Sequence, residues 1–275
     1  TATVDGNKEF VLKDTGFGTY ERDLKDKDVS LALDYKASDV LRFFWRATVE
    51  SQDYVSGYQI LKYRFYRGNY LTVDDNGADV EGADIRNSFW QWDTRSDQSE
   101  STLGGIYETD ELVIDFKYTY KDEWSEDTDY LTADVVQDDV DLSYHLDNPR
   151  FPTTAITNGK DLKDASAYVF EDLNDRYWLG AETDAIGALN VKWSNLFGHP
   201  NMFLKAGIRS RSRENNRESE NNIYDAYDGS FTMADVLSGK SIPDVLEGRY
   251  QYETHPDGEK TRGFFEQNKE GFELN

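Results

Sequence analysis

Three groups of side chains in this sequence could act on another molecule: carboxylates in runs, a close pair of tryptophans, and a ladder of cations. Asp74, Asp75 and Asp79 surround the turn Asn76-Gly77, and Asp134, Asp138, Asp139 and Asp141 make a second run. Such runs offer the hard oxygen ligands that calcium takes, although their spacing fails the EF-hand pattern. Solvated loop charge is the simpler reading of them. Trp90-Gln91-Trp92 is a candidate ligand contact, for instance by stacking on a sugar ring. Trp124 and Trp178 read instead as anchors at a membrane interface. Lys205, Arg209, Arg211 and Arg213 recur on one side of a strand, where they could line the path of an anionic solute. They could equally pair with carboxylates such as Asp115 and Glu182, and internal pairing is the simpler reading. His145, His199 and His255 lie far apart in presumed loops and turns, with no pair at ligand spacing. Nothing sets two carboxylates across a cleft, as glycoside hydrolysis requires. The expectation is therefore not an enzyme, and no cofactor beyond calcium in the acidic loops.

The elements that must position these groups are strands. Val29, Leu31, Leu33 and Tyr35 alternate with Ser30, Ala32, Asp34 and Lys36, and Leu41, Phe43, Trp45, Ala47 and Val49 alternate with Arg42, Phe44, Arg46 and Thr48. A period of two sends successive side chains to opposite faces, so each run has one apolar and one polar side. The link Ala37-Ser38-Asp39-Val40 fits only a tight hairpin. The pattern returns weakly at 98–107. It is strong at Leu112, Ile114, Phe116, Tyr118 and Tyr120, at Gly187, Leu189, Val191 and Trp193, and at Met202, Leu204, Ala206 and Ile208. Strands are thus expected at about 28–66, 98–124 and 179–213, with loops at about 67–97, 125–178 and 214–275.

Charge follows the same division. The chain of 275 residues carries a formal net charge of −24. Acidic against basic residues number 7 to 3 over 67–97, 15 to 4 over 122–178 and 14 to 6 over 214–275, so nearly all the excess lies outside the alternating runs. Such acidity argues against nucleic acid, whose phosphates require clustered Lys and Arg. No apolar run is long enough for a helical membrane span. Neither disulfides nor thiolate metal sites are available, since cysteine is absent. The connections run short, long, short, long, short, long. In an up-and-down meander this sets every short turn at one end of the sheet and every long acidic connection at the other. Outer-membrane barrels have that asymmetry, with short periplasmic turns and long extracellular loops.

Several segments resemble the barrel region of TonB-dependent outer-membrane receptors, especially the large-loop type of Xanthomonas- and Caulobacter-like bacteria. They are Gly104-Gly105-Ile106-Tyr107-Glu108, Phe116-Lys117-Tyr118-Thr119-Tyr120, Val140-Asp141-Leu142-Ser143-Tyr144 with Asn148-Pro149, and Phe203-Leu204-Lys205-Ala206-Gly207-Ile208-Arg209. The likeness covers about residues 28–213. It implies an all-β, antiparallel, up-and-down transmembrane barrel segment of about six strands, in the outer membrane of a Gram-negative bacterium. It further implies import of a scarce solute, an iron chelate or an oligosaccharide. The expected partners are lipid, the remaining barrel strands, a plug domain, and TonB through that plug. No plug, TonB box or terminal aromatic strand is found in this chain, which reads as an internal piece of a larger receptor. The competing reading is a soluble or surface-exposed acidic β-sheet module that contacts carbohydrate through Trp90 and Trp92.

Overall fold

The computed structural model describes residues 1–4, 7–245, 250–252 and 254–275. In chain order its strands are β1 (Ala2–Val4), β2 (Asn7–Glu9), β3 (Thr15–Lys36), β4 (Leu41–Arg64), β5 (Asn69–Asp74), β6 (Gly77–Glu108), β7 (Leu112–His145), β8 (Thr153–Ile156), β9 (Val169–Ser194), β10 (Phe203–Tyr227), β11 (Ile242–Val245), β12 (Tyr250–Tyr252) and β13 (Phe272–Leu274), and one α-helix, α1, spans Gly258–Asn268. The chain is mostly antiparallel sheet. Its principal sheet has the order β13-β10-β9-β7-β6-β4-β3, with β5 on β6 and β8 on β7. The long strands are neighbours in chain order, as in a meander. Among the described residues no helix is long and apolar enough to cross a membrane.

Register aligns the alternation of every strand on common faces. Tyr35, Phe43, Gly105, Phe116, Leu189 and Ile208 are successive cross-strand partners, and so are Leu33, Trp45, Leu103 and Tyr118. On the opposite side the corresponding row is Asp34, Phe44, Gly104, Lys117, Ala188 and Arg209. The Gly104-Gly105 pair has a packing cause. A Cβ at Gly104 would meet the Phe44 ring, and one at Gly105 the rings of Phe43 and Phe116, so each glycine makes room for aromatics on its own face. The apolar face of this region is not covered: Leu103 is 56% exposed, Phe116 40% and Ile208 71%. Phe43 and Ile114 are half-buried, and neither belongs to a buried core cluster.

The short connections hold as tight turns. Ala37 N–H donates to Leu41 O at 2.9 Å and Thr109 N–H to Leu112 O at 2.9 Å. The β9–β10 turn uses left-handed backbone at Asn195, Phe197 and Gly198, with φ of 55°, 55° and 76°.

The segments expected to be long loops are corrected by the ladder. β6 already runs from Gly77, β7 continues to His145, β9 starts at Val169, and β10 reaches Tyr227. Hydrophobic alternation marks a strand only where one face is apolar and the other wet. In β3 the stretch Glu21–Asp28 is exposed and has Leu24 as its one apolar residue, and in β7 Ala133, Asp134, Val135, Val136 and Gln137 are all buried, so both of its faces are covered. Neither situation produces a period of two. The cover at this end is supplied by the segments between and after the strands. One cluster joins Leu61, Ile85 and Leu142 to Tyr168, Met233 and Tyr252; a second joins Phe89, Leu131 and Leu173 to Phe231, Phe265 and Phe272. The final helix is capped by the Asp257 carboxylate, which accepts from Lys260 N–H at 3.0 Å.

Candidate functional site

Beyond the uncovered band, past a charged zone that includes Glu50, Glu123 and Asp184, the polar face carries a group of aromatic residues. Tyr20, Tyr58 and Trp90 are direct cross-strand partners, and the same row continues through Thr132 to Asn174. Trp92 pairs with Ser56 in the next row, and the row after that brings Tyr54 opposite Thr94 and Asp127 opposite Trp178. Strand alternation carries all of these to the side that bears Arg46 and Arg209 lower down. Counted from Val49, Tyr54 to Tyr58 lie about 15 to 30 Å farther along β4 at about 3.3 Å per residue. Trp90 is 39% exposed and Tyr20 53%. Their rings are not stacked on each other: Tyr20 and Trp92 have centroids 6.0 Å apart at 35°, Tyr58 and Trp90 5.7 Å apart at 70°. Trp90 and Trp92 were expected within a loop; they stand in mid-strand on β6, held by pairing on both sides.

The two other loop tryptophans separate. Trp124 partners Asp97 and Ala181, on the apolar side just beyond Tyr118 and Tyr120. Trp178 falls on the polar side, because it sits an odd number of residues from Leu189 on an unbroken β9. That orientation is incompatible with a lipid-facing girdle.

The cations of β10 are divided as well. Arg211 donates to Asp184 at 2.7 Å, and Arg213 to Asp184 and Glu182 at 3.1 Å each. Lys205 and Arg209 have no ion pair among the described residues. Asp115 accepts from Asn190 rather than from a cation. Asp74, Asp75 and Asp79 do not converge: Asp74 accepts from the Asn76 N–H at 2.7 Å within its turn, and Asp79 from the Thr72 hydroxyl at 2.7 Å. His255 is buried, 2% exposed, beside Tyr252 rather than in an open loop.

A group that sequence spacing could not reveal lies farther out on the polar face. Asp134, Glu171 and Asp172 bring carboxylate oxygens within 4.8 Å of one another. Arg86 pairs with Asp134, and Arg64 donates to Asp84 at 2.5 Å and to Glu171 at 2.9 Å. These three carboxylates are the described residues best placed to hold a cation, but guanidinium groups already neutralise two of them. Burial pushes the Asp172 carboxyl above its ordinary range, against the pull of Arg86. The arrangement is a structural charge network. Its members are separated by as many as 108 residues, so no local motif announces it.

On the apolar side, Arg262 of α1 reaches down to Asp129 and to Asp175, the latter at 2.8 Å. Asp93 lies close by; burial and the Asp129 charge raise its pKa, and Arg262 partly opposes them. A carboxyl whose folded pKa is raised favours the folded state below its unfolded pKa, and that contribution is lost as pH rises through the raised value. Protection factors of the α1 amides, each referenced to the intrinsic exchange rate at that pH, should therefore rise on going from neutral pH to about pH 4.5, just above the ordinary carboxylate range. Asp93→Asn should flatten that dependence, and Arg262→Ala should speed α1 exchange at both pH values.

No family model matches this chain, and no curated protein matches it.

Proposed function

We propose that the sheet is part of the wall of an outer-membrane β-barrel serving uptake of a scarce solute. The supporting observation is a single-layer sheet whose one face carries an uncovered apolar band and whose other face carries charged side chains, some of them paired, as Arg42 with Glu108 and Arg46 with Asp34. On β7 the band runs from Leu112 to Tyr120, nine residues. That is about 27 Å along the strand, or roughly 20 Å of depth at a tilt of 35–45°, close to the apolar belt of such barrels. Aromatics mark both margins, with Trp193 and Tyr107 near the short turns and Tyr118, Tyr120 and Trp124 at the other limit. An apolar surface of this extent on a soluble module would be an aggregation liability.

The edges fit the same reading. At band level β3 pairs only with β4 and β10 only with β9, among the described residues, and unpaired amides are not tolerated in lipid. Further strands would complete the wall. The short turns then face the periplasm and the acidic end faces outward. A TonB-energised receptor with a plug is the uptake system the sequence resembles, and an iron chelate or oligosaccharide is its expected cargo. The test uses single-tryptophan variants reconstituted in bilayers containing brominated lipids. Emission from Trp45 and Trp193 should be strongly quenched, and that from Trp90 and Trp92 scarcely. Equal protection of all four from the bromines would defeat the membrane assignment.

A further inference from the structure

We infer that the aromatic shelf on the polar face, built from Tyr20, Tyr58, Trp90, Trp92 and Trp178, binds a neutral oligosaccharide. This rests on the uptake reading above and names the class of cargo the wall would first meet. Aromatic ring faces carry partial negative charge and pack well against the slightly positive C–H faces of a pyranose. Tyr20 and Trp90 are both exposed, and the close ring pairs are tilted or edge-on rather than stacked. The Trp178 ring lies over Gly180, two residues along the same face, where any Cβ would collide with it; the ring is thereby laid along the sheet.

Charge on either side selects the class. Arg22 sits over the Tyr54 ring at 4.2 Å and Arg176 over the Tyr130 ring at 5.4 Å, so two rings beside the shelf already hold cations. A cationic ligand would meet these guanidinium groups. An anionic ligand would meet Asp127, the direct cross-strand partner of Trp178. A neutral ligand avoids both. From β3 to β9 the shelf crosses four inter-strand spacings, about 19 Å at about 4.8 Å each, which is longer than one sugar ring.

The test titrates the full chain in detergent micelles with neutral linear hexasaccharides (α- and β-linked glucans, xylan and mannan) and with an iron(III) tris-catecholate chelate, following tryptophan emission. A saturable response to at least one hexasaccharide, with none to the chelate, is expected. Trp90→Ala should weaken that binding about tenfold or more, the loss of one aromatic contact. Tyr20→Ala, at a half-exposed position on the edge strand β3, should weaken it too while leaving the far-ultraviolet circular dichroism intact. No response to any hexasaccharide, a response to the chelate alone, or binding indifferent to both substitutions overturns the inference. Brominated-lipid quenching of Trp45 and Trp193 is read on the same preparation, so loss of sugar binding with quenching retained removes this inference alone.

Discussion

Phe116→Arg is expected to abolish stable insertion of the sheet into bilayers, whereas Thr119→Arg, three residues away, is expected to be nearly silent. Phe116 lies at the middle of the apolar band, between Gly105 and Leu189. An arginine on the lipid side of a barrel costs about 2 to 4 kcal/mol at the bilayer midplane and little on the lumen side. Thr119 is on the polar face, hydrogen-bonded to Thr102 at 2.8 Å, and its neighbours there already include Lys117 and Lys121. Leu189→Arg, a direct partner of Phe116, should repeat the large effect. Urea titration of the reconstituted protein, read by heat-modifiable mobility, measures both substitutions. Equal tolerance of Phe116→Arg and Thr119→Arg would mean that the band does not contact acyl chains.

The second large effect concerns the outer end. Arg64 is 4% exposed and donates to both Asp84, 2% exposed, and Glu171. Removing one partner of a buried ion pair leaves the other charge uncompensated, at about 3 to 5 kcal/mol. Arg64→Ala should therefore destabilise the outer half of the sheet by that amount. Arg46→Ala breaks a pair with Asp34 whose side chains are 44% and 70% exposed, and should change stability by less than about 1 kcal/mol. Hydrogen exchange resolved by segment would separate the two, since Arg64→Ala should expose the amides of β6 from Gly77 to Ser88 and spare those of the band. A uniform response along β6 would contradict a locally placed network.

Legibility in the sequence followed the asymmetry of the surroundings. The alternation at 28–49, 112–120, 187–193 and 202–208 is plain because those strands carry apolar side chains on one face and mostly polar ones on the other. The same strands vanish from view beyond the band. Glu21–Asp28 and Asn215–Asn222 are wet on both faces, and Ala133–Gln137 is covered on both, so periodicity fades although the hydrogen-bonded ladder continues. Trp90 and Trp92 were identifiable as a pair by spacing alone. Their alliance with Tyr20, Tyr58 and Trp178 was not, since it depends on register between strands distant in sequence.

Residue order by itself determined the antiparallel β character, the apolar and polar sides of each band segment, and the tight turns, because these are set by neighbours one to four positions apart. Only the tertiary structure decided that Trp90 joins Tyr20 and Tyr58 in one row, that Asp84, Asp134 and Glu171 meet Arg64 and Arg86, and that α1 is clamped by Arg262. Those outcomes depend on cross-strand register and on burial, and register is a property of paired strands that no single stretch of chain contains.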